Sequence, residues 1–166
     1  MPAEPHEPDE VDVIVDAWKR ERPDVDVSAM QVLSRVSRLA RHLDLARKQA
    51  FAAHDLETWE FDVLAALRRS GPPYDLSPGR LVAETLVTSG TMTNRVDRLV
   101  ARGLVERRPD PNDRRGVLVS LTVAGRRSVD AALDELLLRE RQILGALDTA
   151  DATQLADALR VLARQI

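Results

Sequence analysis

Hydrogen-bonding and basic side chains are concentrated between residues 89 and 122. The first part of this stretch contains alcohols, an amide and guanidinium groups, namely Ser89, Thr91, Thr93, Asn94, Arg95 and Arg98. The second part contains the run PDPNDRRG at residues 109–116, in which Arg114 and Arg115 stand together among turn-forming residues. Amide and guanidinium groups hydrogen-bond base edges, and arginine also binds phosphate oxygens. These side chains therefore offer the chemistry needed to read duplex DNA.

The elements that would position these side chains are a helix and a hairpin. From Thr93 onward the apolar residues recur at helical spacing, at Val96, Leu99, Val100 and Leu104. Gly103 predicts the end of this helix. Two short strands, at 105–108 and 117–121, flank the turn-forming run and predict a hairpin, which we call the wing. Such a helix can enter a major groove while the wing reaches along the phosphate backbone.

The charge distribution agrees with a phosphate-facing surface, although the net charge of the chain is −3. Residues 89–127 contain nine arginines and four acidic residues, a local balance of +5. The first 26 residues contain nine acidic residues and three basic ones. This asymmetry predicts one basic surface on an otherwise acidic protein. The alternative is that these arginines form an ordinary solvated face.

Composition excludes several classes of function. The chain has no cysteine, which excludes disulfides, thiolate metal sites and thiol redox sensing. Aromatic residues are only 3%, which argues against single-strand binding by base stacking. The three histidines are too far apart in sequence for a local metal motif, so we expect neither a metal nor a cofactor. The chain shows no phosphate-binding glycine loop and no nucleophile motif, and we expect that it is not an enzyme.

The sequence shows no membrane or export signal. No apolar run reaches the length needed to cross a bilayer, and the acidic N-terminus lacks the basic and apolar order of a signal peptide. We therefore expect a cytoplasmic protein that does not contact a membrane.

Composition and periodicity along the chain predict a mainly α fold with a small β-hairpin wing. The predicted regions are a disordered acidic tail (1–10), N-terminal helices (11–55), a winged helix-turn-helix domain (56–122) and C-terminal helices (123–166). Side chains that can cap helices stand at Ser28, Thr58, Ser77 and Thr122.

The long helices at 28–54 and 123–147 carry more apolar surface than a small winged helix needs to cover its core. We therefore expect an intertwined helical homodimer, with two recognition helices about one DNA turn apart on a pseudo-palindromic site.

The segment SGTMTNRVDRLVARGLVERRPDPNDRRGVLVSLTVAG, residues 89–125, resembles the MarR family, the multiple antibiotic resistance regulators. The wing sequence DPNDRR and the following LTVAG are typical of that family, and the order of helices agrees beyond residue 27. The resemblance implies a homodimeric winged helix-turn-helix protein that binds duplex DNA. It also implies repression of a nearby gene and release from the DNA when a small ligand binds.

The resemblance also implies roles for individual residues. The positions that would face the major groove or its phosphates are Ser89, Thr91, Thr93, Asn94 and Arg98. Arg114 and Arg115 would place the wing, with one of them entering the minor groove, and Asp113 would hold a wing arginine or Arg98 in position. For Asp97 and Arg98 the alternative is a solvated helix face.

A narrower resemblance concerns the ligand. The segment AWKRERPDVD, in an added N-terminal helix, resembles the urate-responsive subgroup of the family, and the matching site positions are Trp18, Asp62, Arg95 and Arg107. A flat anion such as urate, or a related anion such as a tricarboxylate, could stack on Trp18, hydrogen-bond an arginine and repel Asp62. The alternatives are that Trp18 only anchors its helix, that Asp62 only favours the helix dipole, and that the two arginines only bind phosphate.

A second class of function competes with DNA binding. A winged helix can serve as a protein-interaction module without specific DNA binding, but such a wing needs no arginine pair, and its helix would begin with apolar residues. A steep salt dependence of duplex binding separates the two classes, because phosphate contacts release counterions.

Overall fold

The computed structural model describes residues 7–165, apart from the side chain of Arg114. These residues form seven helices and three strands. In chain order they are α1 Glu10–Glu21, α2 Met30–Ala52, α3 Thr58–Arg69, β1 Asp75–Leu76, α4 Pro78–Thr85, α5 Ser89–Ala101, β2 Val105–Asp110, β3 Asp113–Leu121, α6 Val123–Leu144 and α7 Thr149–Ala163. The predicted mainly α fold with a small β-hairpin wing is confirmed. Most of the predicted disordered tail falls on residues 1–6, which lie outside the described residues.

The chain divides into two compact units, one up to Leu45 and one from Ala46 onward. In the first unit, Asp9 caps α1 by accepting hydrogen bonds from the backbone N–H groups of Val11 and Asp12. Arg35 of α2 pairs with Asp9 at 2.8 Å and with Asp12 at 2.9 Å. These exposed ion pairs connect the start of α1 to the first half of α2.

The core of the second unit is centred on α3, in which every residue from Glu60 to Leu67 except Asp62 is buried. Phe61 stacks on Phe51 of α2 with ring centroids 4.0 Å apart. The fully buried Leu81, Met92 and Leu99, from α4 and α5, belong to the same cluster. Burial of each such side chain contributes on the order of 1.5–3 kcal/mol, so this core fixes α5 against α3 and α4.

The strands form an antiparallel sheet in the order β1-β3-β2. The wing strands extend closer to the tip than predicted, because Asp110 pairs with Asp113 and leaves only Pro111 and Asn112 in the turn. The Asp110 side chain accepts a hydrogen bond from the Asn112 backbone at 2.8 Å, which stabilises this short turn. β1 was not predicted, since two residues are too few for an alternating pattern.

Two of the four predicted helix caps are confirmed. Ser77 caps α4, with Pro78 as its first residue, and Thr122 caps α6 by accepting a hydrogen bond from Gly125 at 2.9 Å. The other two were placed wrongly, because α2 begins at Met30 and the cap of α3 is Glu57. Thr58 is instead the first residue of α3, and Ser28 lies two residues before the start of α2, a difference that capping preferences alone do not resolve.

Candidate nucleic-acid interface

The recognition helix is α5, which begins four residues earlier than the periodicity at Thr93 indicated. Thr88 caps it by accepting a hydrogen bond from the Thr91 backbone at 3.3 Å. Met92, Val96 and Leu99 are buried on the inner side of the helix. The outer side exposes the side chains that the sequence assigned to DNA, namely Ser89, Thr91, Thr93, Asn94 and Arg98.

Local hydrogen bonds orient two of these side chains. The Thr91 hydroxyl lies 2.9 Å from that of Thr88, and the Thr93 hydroxyl donates to the Ser89 carbonyl at 3.1 Å. A threonine that bonds back into its own helix has a fixed hydroxyl and presents its methyl group outward. The start of α5 therefore offers both polar and apolar contacts.

A cluster at the edge of α5, the Trp59 cluster, consists of Glu57, Trp59, Arg95 and Arg98. Arg98 Nη2 lies 2.7 Å from Glu57 Oε1, and Trp59 Nε1 donates to Glu57 Oε2 at 2.7 Å. The guanidinium carbons of Arg98 and Arg95 lie 4.6 and 5.5 Å from the centre of the Trp59 ring. Hydrogen bonds from Trp59 and Arg98 hold the pKa of Glu57 below its usual range, so the carboxylate is charged at neutral pH.

The sequence did not single out Glu57 or Trp59 as part of this surface. The ring is half-buried and packs against the core, and the two arginines also lie against it. Together with Gly90, Thr91 and Asn94, the cluster lines an open groove of about 580 Å³ on the outer side of α5. An acid and an aromatic residue at the start of α3 were the available signal, but sequence spacing does not connect them to α5.

Arg102, the residue that directly follows α5, has a structural role. It donates to the buried carboxylate of Glu60 at 2.5 Å and to the side chain of Asp55 at 2.7 Å. The hydrogen bond to Glu60 raises the pKa of Arg102. Part of the basic surplus counted in the sequence is therefore used to fasten the end of α5 to the region around the start of α3.

The wing carries further arginines, and several of them are paired. Arg107 lies 2.7 Å from Asp97 of α5, and Arg108 lies 2.6 Å from Glu106.

The two arginines expected to place the wing are Arg114 and Arg115. Arg115 is exposed near the tip, whereas the side chain of Arg114 lies outside the described part of the chain. The Asp113 side chain accepts a hydrogen bond from the Arg115 backbone at 2.9 Å. The described acidic partner of Arg98 is Glu57, and the role expected for Asp113 toward a wing arginine stays a prediction.

The four residues assigned to a ligand are placed as follows. Trp18 is a half-exposed residue of α1 in the first unit. In the second unit, Asp62 pairs with Arg47 at 3.3 Å beside a cavity of about 240 Å³. Arg95 lines the groove of the Trp59 cluster, and Arg107 pairs with Asp97. The three residues of the second unit therefore have different partners.

Within residues 7–165 there is no group of three or more His, Asp or Glu side chains that could hold a metal ion. No helix in the same range is both long and apolar enough to cross a membrane.

The sequence is similar to those of known transcriptional regulators. A family model described as the MarR family matches residues 54–116. The HTH-type transcriptional regulator PecS of Dickeya dadantii is 38% identical over 146 residues, which are 88% of each chain. The HTH-type transcriptional repressor NicR of Pseudomonas putida is 36% identical over 124 residues, covering 72% of this chain and 73% of its own.

Solved structures show the same architecture. A mutant MarR from E. coli complexed with operator DNA matches with a TM-score of 0.66 at 26% identity, over 83% of this chain and 99% of its own. BpsR from Bordetella bronchiseptica, whose DNA binding is regulated by 6-hydroxynicotinic acid, matches with a TM-score of 0.59 at 29% identity. That match covers 78% of this chain and 98% of BpsR.

Proposed function

Because the chain belongs to the MarR family of winged-helix, DNA-binding transcriptional regulators, we propose that it represses genes by binding pseudo-palindromic DNA as a homodimer. We further propose that a small anionic ligand releases it from the DNA. Like its relatives, the protein is a regulator and not an enzyme.

The observation that supports DNA reading most directly is the division of α5 into two sides. Met92, Val96 and Leu99 anchor one side in the core, while Thr91 and Asn94 are exposed on the other. In a major groove the Asn94 amide could bond an adenine edge through two hydrogen bonds, and the hydroxyls could bond phosphates. The exposed Arg115 at the wing would contact the neighbouring backbone or minor groove.

The homodimer is supported by apolar surface that a single chain leaves uncovered. α7 has no buried residue among those described, although Leu155, Leu159 and Leu162 recur on one side of it. These three side chains are 38–45% exposed, and Leu144 at the end of α6 is 48% exposed. A second copy of the chain would cover this surface and bring two recognition helices about one DNA turn, or roughly 34 Å, apart.

The proposed ligand is a flat anion, of which urate is one example, bound by Trp18, Arg95 and Arg107 and repelling Asp62. The class of ligand is supported by BpsR, because 6-hydroxynicotinic acid is a flat aromatic carboxylic acid.

The route of release is supported by the contacts of α3, the helix that carries Asp62. Glu57, the cap of α3, pairs with Arg98 of α5. Glu60 of α3 pairs with Arg102, which directly follows α5. Displacement of α3 by charge repulsion would therefore disturb the recognition helix.

The first test is a gel-shift measurement at fixed salt with DNA flanking the protein's own gene, with and without urate. Tight binding that urate removes supports both the regulator and its ligand site. Binding that urate does not change supports the regulator but rules out urate, and other flat anions are then tested. Absence of specific binding overturns the proposal and favours the protein-interaction module.

Replacing Asp62 or Arg95 tests the ligand site. We expect Asp62→Asn and Arg95→Ala to abolish ligand-induced release while the dimer stays folded, because repulsion and anion binding are lost. The matched control is Asp134→Asn, which removes an exposed acid on α6 and should leave release unchanged. Unchanged release in both site variants would contradict the assigned site.

A further inference from the structure

We propose that Glu57 is a specificity-determining residue that holds Arg98 on Trp59 and withholds this arginine from the phosphates of non-cognate DNA. The inference rests on the DNA binding proposed above and extends it to a residue outside the recognition helix and the wing. The supporting observation is the Trp59 cluster, in which Glu57 and Arg98 pair on the outer side of α5.

Both oxygens of the Glu57 carboxylate are occupied. One accepts from Arg98 at 2.7 Å and the other from Trp59 Nε1 at 2.7 Å. The Arg98 guanidinium also lies over the indole ring, 4.6 Å from its centre. A planar guanidinium that is stacked on one face and bonded at one edge has lost much of its rotational freedom. Arg98 is therefore held in one orientation before DNA arrives.

The neighbouring arginine provides an internal comparison. Arg95 stacks on the same ring at 5.5 Å. Among the described ion pairs within 4.0 Å, Arg98 has the partner Glu57 and Arg95 has none. Two arginines on one aromatic ring thus differ in whether a carboxylate already neutralises them.

This difference matters most for non-specific binding, which comes almost entirely from phosphate contacts. The Glu57 side chain is 57% exposed, so its charge faces an approaching phosphate. On non-cognate DNA, Arg98 would have to leave a carboxylate for a single phosphate, which offers little net gain. On a cognate site, base contacts by residues such as Asn94 hold α5 close enough for Arg98 to exchange partners. Glu57 would therefore weaken non-specific binding more than specific binding.

The test compares wild type with Glu57→Gln, which removes the charge but keeps an oxygen that can accept from Trp59. Affinities are measured for the flanking-gene duplex and a scrambled duplex between about 50 and 200 mM salt. We expect the variant to bind the scrambled duplex several-fold more tightly. Its slope of log K against log salt should become more negative by about 0.9, the value for one additional phosphate contact. The ratio of specific to non-specific affinity should fall.

Glu84→Gln is the matched control, because it removes an acid from α4 that pairs with Arg69 and Arg80 and not with Arg98.

Arg98→Gln provides a second test, whose outcome does not depend on whether Glu57→Gln folds. If Arg98 is withheld from phosphates, Arg98→Gln leaves the salt slope on the scrambled duplex unchanged and weakens binding only to the flanking-gene duplex.

Three results would overturn the inference. The first is a salt slope of Glu57→Gln equal to that of wild type or of Glu84→Gln, and the second is weaker binding of Glu57→Gln to both duplexes. The third is a shallower salt slope of Arg98→Gln on the scrambled duplex. Failure of wild type to distinguish the two duplexes counts against the proposed regulator, while the slopes on the scrambled duplex still decide the role of Glu57. If wild type binds neither duplex, both proposals fail.

Discussion

Arg98 of α5 and Arg102, which directly follows α5, lie about one turn apart, yet their surroundings assign them different roles. Arg98 is exposed and pairs with the exposed Glu57, so a phosphate can reach it. Arg102 pairs with Glu60, whose side chain is only 2% exposed, and removal of one partner there would leave a buried charge uncompensated. At the scale of the residue, solvent exposure of the acidic partner decides whether an arginine can be used for binding.

Asn94 is the side chain for which a base contact is easiest to test. Asn94→Ala is expected to lower affinity for the flanking-gene duplex by about 1–3 kcal/mol, because a bidentate contact to a base edge is lost. Binding to the scrambled duplex should hardly change. Gln154→Ala removes an exposed amide from α7 and serves as the control in the same titration. An equal loss on both duplexes would contradict a base contact by Asn94.

At the scale of the element, the position of the wing relative to α5 depends on the start of α6. Thr122 caps α6 and also donates from its hydroxyl to the Gly103 carbonyl at 2.8 Å. Gly103 has a φ of +69°, which ends α5 in the left-handed conformation that favours glycine. One hydroxyl thus connects the end of the recognition helix to the beginning of α6.

Gly125 makes this junction sensitive to one methyl group. A Cβ at this position would lie 2.0 Å from the Leu104 carbonyl oxygen, so the backbone itself would have to move. We expect Gly125→Ala to destabilise the protein by about 1–3 kcal/mol, as overpacking does, and to lower the thermal midpoint.

The control for this variant is Gly90→Ala in α5, where a Cβ would meet nothing within 4 Å. Alanine is the better helix former, so this control should not lower stability. Thermal unfolding followed by circular dichroism compares the two variants. Equal stability of both would mean that α6 does not pack tightly against Leu104.

At the scale of the whole molecule, the proposed function requires a second chain. The apolar side of α7, formed by Leu155, Leu159 and Leu162, stays partly exposed in the part of the chain that the structure describes. Apolar surface of this kind on a helix indicates an interface. In our proposal, dimerisation both buries this surface and sets the spacing of the two recognition helices.

Leu159→Glu tests the dimer by placing a charge in the middle of this row. We expect it to shift the protein toward monomers in sedimentation or light-scattering measurements, and to weaken binding to the flanking-gene duplex far more than to a half-site. Thr153→Glu introduces the same charge on the opposite side of α7 and should leave the mass unchanged. A dimeric Leu159→Glu protein would contradict the proposed interface.

The sequence alone determined those features that depend on local signals. Helical periodicity, the caps Ser77 and Thr122, the stop at Gly103 and the turn-forming wing sequence each act within a few residues, and the family motif lies in the same stretch. They were sufficient to predict the fold class, the recognition helix and its exposed polar residues.

Which charged groups pair became clear only from the packing of the helices. Glu57 and Arg98 are 41 residues apart and Glu60 and Arg102 are 42 apart, and a single sequence does not show which of many acids and arginines will pair. For the same reason the sequence did not identify Glu57 as the partner of Arg98, and it missed β1, whose two residues become a strand only by pairing with β3. Long-range pairing depends on how the helices pack, and local periodicity does not encode it.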